Sequence, residues 1–492
     1  ETAVQQLFHG AGVFVTGGTG FLGTALLEKL LRSCPGVRTI FILVRPKKGK
    51  TQEERFSGLF EAPVFESMKK ACPNYMTKVR AVAGDCGLPG LGLGEADREL
   101  LCQEVRVVFH IAATVRFDEK LKTAVHINVR STKHLLELAR HMPHLKVQSQ
   151  NAWNRTWSSR VLKRFQTWGH IQHLSISKLQ AFKLGHSMDL LDEDVLSIMT
   201  PMILREWPNT YALTKSIAED TVREFGKGLP IAVVRPSIVI STAREPFPGW
   251  INNIYGATGV VVGAGVGLLR TMHCNEDMLA EVVPVDMVIN VMIAAAWDVA
   301  TQQRLKAQQY LLEKQTGNLP GPDDDIPILN YVSSIQNPLT WAQYMKFNEC
   351  GKEFPSMRVQ WYYCFQLNKY KIMHNLYAIF LHFLPALIVD TAARLVGKKP
   401  ILWNIYKKIH KFVDVISYFS TQQWKFTNDN VQTLWKRMSP EDQKLFDFNI
   451  ANIDWQSVFK DSMLGLRTYM AQDTPDTIEP AKKRYRRYSQ NV

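Results

Sequence analysis

Residues 12–23 read GVFVTGGTGFLG, a short apolar run that enters a glycine-rich turn directly. Gly12 to Thr16 has the character of a buried strand, Gly17 to Gly23 that of a tight turn, and Phe21 to Arg32 the apolar spacing of a helix. Thr39 to Val44 (TIFILV) follows as a second, continuously apolar strand, the pattern of a parallel sheet covered on both faces. Val79 to Ala83, Val105 to Ile111 and Ile231 to Val234 read as further strands, with helical stretches such as Ala124 to Arg140 between them. This alternation predicts an α/β fold with a Rossmann-like, doubly wound parallel sheet.

The rest of the composition fits a large globular protein. The chain has 492 residues, 46% hydrophobic and 21% charged, which excludes a disordered chain, a fibre and a disulfide-stapled miniprotein. At about 150 residues per domain, three domains is the first expectation. Seven cysteines are scattered without a CxxC pair and read as reduced thiols facing cytosol, with no metal site. The chain opens at Glu1 rather than Met, as a piece of a longer product would, and nothing near its start reads as a signal peptide. The net charge is +14, and Lys482, Lys483, Arg484, Arg486 and Arg487 concentrate part of the excess near the end. No nucleic-acid module accompanies them, so an anionic membrane surface or substrate is expected rather than nucleic acid.

Gly17, Gly20 and Gly23 stand at GxxGxxG spacing after a strand and open a helix, the context of a dinucleotide site. Thr16, Gly17, Gly20, Phe21, Leu22 and Gly23 are therefore expected at the pyrophosphate, on the positive end of the helix. An NAD-preferring site places a carboxylate at the end of the second strand. Here that strand ends in Arg45-Pro46-Lys47-Lys48, and the planar fork of Arg45 suits a 2′-phosphate, which predicts NADPH. Lys47 and Lys48 read equally as a solvated loop. Asp85 after the third strand is placed near the adenine, and the small Ala112 and Ala113 after the fourth let the cofactor pass.

Tyr211 and Lys215 stand at YxxxK spacing and share one face of a helix. An ammonium beside a phenol favours the phenolate and lowers the tyrosine pKa from about 10. Such a tyrosine can protonate a carbonyl oxygen as hydride arrives at carbon.

These two motifs resemble those of extended short-chain dehydrogenase/reductases. Thr16 to Gly49, MTPMILREWPNTYALTKSIAE (199–219), VVRPSIVISTAREPFPGWINN (233–253), GLLRTM (267–272), VPVDMVIN (283–290) and the segment 425–455 resemble alcohol-forming fatty acyl-CoA reductases of the insect type. The resemblance spans roughly residues 5–145 and 190–470. It implies reduction of a long-chain acyl-CoA by NADPH, release of coenzyme A, and reduction of the bound aldehyde to a primary alcohol by a second NADPH. It makes Tyr211 the general acid, and Lys215 the residue that tunes it and contacts the nicotinamide ribose. Asn128 supports a proton relay or, equally, caps or packs. Arg235, Pro236 and Ser237 border the path of nicotinamide and acyl chain.

The chain departs from that family before the tyrosine. The family has a strand ending in a V-S-T-A-Y-like motif whose serine bonds the substrate carbonyl. Residues 147–178 (VQSQNAWNRTWSSRVLKRFQTWGHIQHLSISK) lack it. Ser175, in the nearest echo (His173-Leu174-Ser175), is taken as the catalytic serine, with Ile171, Leu174 and Ile176 as a short strand. Ser149, Ser159 or no functional serine remain open. A NADP-binding, lipid-associated protein impaired in catalysis, or a reductase that stops at the aldehyde, are the alternatives to the full activity.

The domains are expected at residues 1–345, holding the NADP-binding part and a substrate-binding part at about 236–345, and at 346–492, a helical, membrane-associating part. Glu313 to Pro327 reads as a surface loop. Gly256 to Leu269 reads as acyl tunnel or ordinary core. Leu376 to Val389, the longest apolar run at 14 residues, falls short of the about 20 that a span needs. It reads as a buried helix or hairpin, an interfacial element, or least of all a span. Related proteins continue past a basic patch into an apolar segment, whereas this chain stops at Val492. Attachment is then expected through 372–397 and the basic tail. The resemblance implies a peroxisomal or endoplasmic reticulum membrane with the catalytic part facing cytosol.

Overall fold

A computed structural model describes residues 1–46, 49–151, 191–316 and 326–490. The chain divides into two compact units, each built from three stretches. The first unit comprises Glu1–Ser237, Val285–Tyr331 and Phe426–Asn449. The second comprises Ile238–Pro284, Val332–Lys425 and Ile450–Val492.

The first unit holds a seven-stranded sheet. Its strands are β1 (Gly12–Thr16), β2 (Thr39–Val44), β3 (Val79–Ala83), β4 (Val105–His110), β5 (Val147–Asn151), β6 (Ile231–Pro236) and β7 (Ile328–Tyr331). Their order is β7-β6-β5-β4-β1-β2-β3, with every pairing parallel. The order reverses between β1 and β4, the switch point at which a doubly wound sheet opens a crevice at its carboxyl edge. Of the strands predicted from sequence, β1 and β6 have no exposed position, whereas the edge strand β3 exposes Arg80 and Ala83. Phe14, Phe41, Val82, Val108, Leu135 and Leu138 form one core beneath the sheet. Burying a side chain such as Phe14 contributes about 2–3 kcal/mol.

The helices that matter for the site flank this sheet. They are α1 (Phe21–Ser33), α2 (Gln52–Leu59), α3 (Leu121–Val125), α4 (Ser131–Ala139), α5 (Thr210–Phe225) and α6 (Val285–Thr316). A π turn at His126–Arg130 joins α3 to α4 within the predicted helical stretch. The start of α6 is buried on all sides, with Val285, Val288, Val291 and Met292 fully inaccessible and Asp286 and Asn290 buried among them. Because α6 runs to Thr316, Glu313 to Thr316 are helical rather than loop; residues 317–325 lie outside the described residues.

Two features of the structure bear on the sequence reading. The strand between β4 and β6 is Val147–Asn151, inside the divergent segment, with Ser149 in register with Phe109 and Ala232. Residues 171–176, Ser159 and Ser175 lie outside the described residues. Second, a boundary at residue 345 does not match the division of the chain. Phe426–Asn449 return to the first unit because they cover the edge strand β7. Tyr331 Oη donates to Phe448 O at 2.9 Å, Asn330 Nδ2 to Thr427 O at 3.0 Å, and Asn430 Nδ2 to Ile328 O at 2.8 Å. Covering an edge removes unpaired strand groups from solvent.

The second unit contains two short parallel pairs, Ile238–Ile240 with Val282–Pro284 and Thr271–His273 with Gln366–Asn368. Gly256 to Leu269 forms a helix over Ala257–Gly265. The long apolar run lies in α7 (Lys371–Ala378), a π turn (Ile379–Phe383) and α8 (Leu384–Leu395), followed by α9 (Leu402–Ser420).

Candidate active site

The glycine turn leaves β1 at the switch point. Gly17 has φ +75°, and a Cβ there would stand 2.6 Å from Ala112 N at the end of β4. A Cβ on Gly23 would stand 2.2 Å from Gly17 O. Both positions therefore exclude any side chain, for backbone strain in one case and helix-to-loop packing in the other. Gly20 is the N-cap of α1 and, having no side chain, leaves the helix without a side-chain cap. A pyrophosphate is the natural counterpart of such an end.

Thr16 is pinned from across the switch point. It pairs in register with His110, whose Nδ1 lies 2.7 Å from Thr16 Oγ1. His110 is buried, and its Nε2 meets Thr132 Oγ1 at 3.3 Å and Ser131 Oγ at 3.4 Å. Burial, and then Lys215, pull its pKa down to about 3, so it is a neutral junction rather than an acid–base group. The sequence offered His110 only as a strand residue, because its partners are remote in the chain.

At the end of β2, Arg45 is 53% exposed and its Nη1 lies 3.3 Å from Asp85 Oδ2. Asp85 Oδ1 accepts from Gly87 N at 2.8 Å. Arg55 of α2, which sequence reasoning passed over, converges on the same place. It donates to Arg45 O and, through Nη2, to Thr19 Oγ1 at 3.1 Å. Partial burial and the neighbouring Arg45 cation lower its pKa. Two guanidinium groups thus stand beside the glycine turn, Arg45 paired with Asp85 and Arg55 bonded to Thr19. Lys47 and Lys48 lie outside the described residues.

The tyrosine and lysine lie one turn apart on α5, both partly buried. Asn209 caps that helix, its Oδ1 accepting from Ala212 N at 2.8 Å. The segment after β4 braces the helix start. Phe117 packs against the Tyr211 ring with centroids 5.7 Å apart, and Thr210 Oγ1 donates to Glu119 O at 3.0 Å. The expected lowering of the tyrosine pKa is not what this environment produces: burial raises the Tyr211 phenol above its ordinary value. Low polarity around the ring penalises the phenolate and keeps the proton in place. Burial also lowers Lys215 to about 8, with the Glu219 carboxylate acting in the opposite direction.

Glu219 and Arg235 form a buried, two-pronged ion pair, with Nε–Oε1 at 2.9 Å and Nη2–Oε2 at 2.5 Å. Arg235 therefore holds α5 against β6, with Asn330 Oδ1 at 3.5 Å from its Nη1. Asn128, placed by the π turn, receives the N–H of Thr114 at 2.9 Å. It donates from Nδ2 to Thr214 Oγ1 at 3.0 Å and to Thr114 O at 3.3 Å. Interrupted helices of this kind recur at functional sites. Ala112 and Ala113 follow one residue after β4, and Pro236 ends β6 with Ser237 just beyond it.

A parallel sheet with this switch point, a side-chain-free turn over a helix end and a Tyr–Lys helix define the extended short-chain dehydrogenase/reductase class, which uses a nicotinamide cofactor. Two sequence families described as "Male sterility protein" match, an NAD-binding one over residues 15–292 and a second, Sterile, over 381–473. "Fatty acyl-CoA reductase wat" of Drosophila melanogaster is 39% identical over 99% of this chain and 89% of its own length. "Fatty acyl-CoA reductase 2" of Homo sapiens is 32% identical over 99% of this chain and 90% of its own. The chain belongs to the fatty acyl-CoA reductase family.

Solved structures agree on the fold. The terminal R domain from the myxalamid PKS-NRPS biosynthetic pathway superposes with TM-score 0.55 at 17% identity, covering 95% of this chain and 93% of that one. The reductase domain of a nonribosomal peptide synthetase from Mycobacterium tuberculosis gives 0.56 at 14% identity, covering 95% and 96%.

Proposed function

We propose that the chain reduces long-chain fatty acyl-CoA to a primary alcohol, consuming two NADPH and releasing coenzyme A by way of a bound aldehyde. The observation that carries the reading is the meeting of a side-chain-free dinucleotide turn with a buried Tyr211–Lys215 helix in a chain of this family.

NADPH supplies the hydride. Thr16, Gly17, Gly20, Phe21, Leu22 and Gly23 hold its pyrophosphate at the start of α1. Arg45 and Arg55 grip the 2′-phosphate, and Asp85 keeps Arg45 in place. A paired guanidinium clamp distinguishes NADPH from NADH because the 2′-phosphate accepts charge-assisted bonds that the ribose hydroxyl of NADH cannot match. Ala112 and Ala113 border the cofactor.

Tyr211 gives its proton to the carbonyl oxygen as hydride reaches the carbonyl carbon. Its raised pKa suits a donor that must be protonated at the start of the step. Lys215 holds positive charge beside the phenol and contacts the nicotinamide ribose. In the first round the C–S bond breaks and coenzyme A leaves as a thiol. In the second the aldehyde carbonyl takes a hydride and a proton. The balance is one acyl-CoA, two NADPH and two protons to one alcohol, one coenzyme A and two NADP⁺. Ser175 is assigned to the substrate carbonyl, with Ser149 as its competitor from β5.

The chain works at a membrane, peroxisomal or endoplasmic reticulum, with its catalytic part in cytosol. In support, one helix among the described residues, Lys371–Leu395, has the length and composition to cross a membrane. The basic segment around Lys482 to Arg487 adds attraction to anionic lipid.

Product analysis tests the reading. The full chain, reconstituted with NADPH and an acyl-CoA series from palmitoyl to lignoceroyl, is expected to oxidise two NADPH per alcohol formed. Tyr211→Phe is expected to abolish this while retaining NADPH binding. NADPH binding with neither alcohol nor aldehyde from the natural sequence would refute the enzyme reading in favour of the catalytically impaired protein.

A further inference from the structure

The helix Lys371–Leu395 is built inside out. His374, Ala378, His382, Ala386 and Asp390 recur every four residues and are all buried. This polar and small stripe faces the rest of the second unit, to which the helix belongs. Thr271 Oγ1 lies 3.2 Å from His374 Nδ1, and Arg270 N donates to His382 Nε2 at 2.9 Å. His382 Nδ1 lies 2.9 Å from His410 Nε2 on α9. The Asp390 carboxylate accepts the N–H groups of Ile401, Leu402 and Trp403 at 3.1, 3.0 and 2.9 Å, which caps α9. The opposite face carries Ile372, Ile379, Phe380, Leu387, Ile388 and Leu395, each more than half exposed. A water-facing helix of a globular protein has the reverse arrangement. A contiguous apolar face of this kind marks an interaction site.

We propose that α7 and α8 lie in the plane of an anionic bilayer, their outer rows sunk into the headgroup–acyl boundary, without crossing it. The inference rests on the reading that the chain works at a membrane and specifies the element and its orientation. Two observations select lipid as the occupant. Between Lys371 and Lys411 seven Lys and Arg stand against one acid, Asp390, and that acid is spent on the α9 cap. Lys371 at one end of the apolar rows and Arg394, Lys398 and Lys399 at the other are exposed, so their stems can follow the apolar surface while their heads reach lipid phosphates. Orientation follows from the buried stripe. A span would pull His374, His382 and Asp390 off their partners and leave them in hydrocarbon, where ionisable side chains are costly. An in-plane helix keeps every one of those bonds.

The test is flotation of the full chain with phosphatidylcholine vesicles, with and without phosphatidylserine, followed by alkaline carbonate extraction. Binding is expected with phosphatidylserine, weakened by salt and released by carbonate. Ile379→Glu/Ile388→Glu is expected to lower the bound fraction at least tenfold, with NADPH binding retained as the check on folding. Lys398→Glu/Lys399→Glu is expected to remove the phosphatidylserine preference alone. Binding that the Ile379/Ile388 variant leaves intact overturns the inference and preserves the membrane reading. No binding by the natural sequence overturns both. Carbonate resistance overturns the in-plane orientation in favour of a span. A lipid-independent dimer that the Ile379/Ile388 variant abolishes, without vesicle binding, assigns the face to a second copy and overturns the inference.

Discussion

Asn128 Nδ2 donates to Thr214 Oγ1 across 3.0 Å, from the π turn before α4 to the residue immediately before Lys215 on α5. Thr214 Oγ1 in turn donates to the carbonyl of Thr210 at 2.8 Å, within the turn that carries Tyr211. On the other side, the Asn128 carbonyl accepts from Thr132 Oγ1 at 2.9 Å, and Thr132 meets His110, which meets Thr16. A buried polar chain thus runs from the cofactor turn to the catalytic helix. Its members need one another, since each unpaired buried polar group costs about 1–3 kcal/mol.

Asn128→Ala breaks that chain on the α5 side. The expected result is a fall in kcat of about tenfold with KM for NADPH little changed, corresponding to about 1.4 kcal/mol of lost positioning. Thr214→Val should give a similar loss, and the double variant little more than either alone. Steady-state kinetics on the three proteins checks this coupling; additive losses would count against it.

In the proposed reading, the preference for NADPH follows from the guanidinium pair. Arg45→Ala and Arg55→Ala are each expected to raise the KM for NADPH by about 10–100-fold while leaving that for NADH nearly unchanged, because each removes a charge-assisted bond of about 1.5–3 kcal/mol. Side-by-side titration with the two cofactors reads the ratio. Equal losses for both would remove the 2′-phosphate assignment.

In the proposed mechanism Lys215 sets the alkaline limb of activity. Its ammonium titrates near 8, so the rate is expected to fall as pH rises through about 8 and the positive charge beside Tyr211 disappears. Glu219→Gln removes a carboxylate that holds this value up, and the limb should move to lower pH. The stability effect runs the other way. The unfolded chain holds the lysine proton up to about 10.5, more tightly than the folded one, so this group's contribution to stability grows between about 8 and 10.5. A pH–rate profile and a denaturation series over the same range separate the two.

The Arg235–Glu219 pair predicts a stability asymmetry. Arg235→Met strands a buried carboxylate and should cost about 3–5 kcal/mol in chemical denaturation. Adding Glu219→Leu should restore most of that loss, since no charge then remains to be solvated. Failure of the double variant to recover would show that the pair supplies more than mutual neutralisation.

Much of the site is legible in the sequence because its signals are local. The glycine turn is recognisable from Gly17 to Gly23, since the same few residues end a strand, turn and open a helix. YxxxK is recognisable because four residues bring Tyr211 and Lys215 onto one helical face. Strands β1, β2 and β6 are recognisable because a covered parallel strand is apolar along its length. The same rule hides β5. Val147–Asn151 reads VQSQN, and its place in the sheet comes from ladder bonds to β4 and β6 rather than from an apolar pattern.

By itself, then, the sequence determined the class of fold, the cofactor turn, the tyrosine–lysine helix and the family resemblance, all of which rest on spacings of a few residues or on long runs of similarity. The tertiary structure alone decided what depends on partners far apart in the chain. It joined His110 to Thr16, Arg55 to Arg45, and Glu219 to Arg235. It returned Phe426–Asn449 to the sheet unit. It turned the polar stripe of α7 and α8 inward and left their apolar rows outside. Helical periodicity fixes which residues share a face, but only packing against a particular neighbour fixes which face is buried.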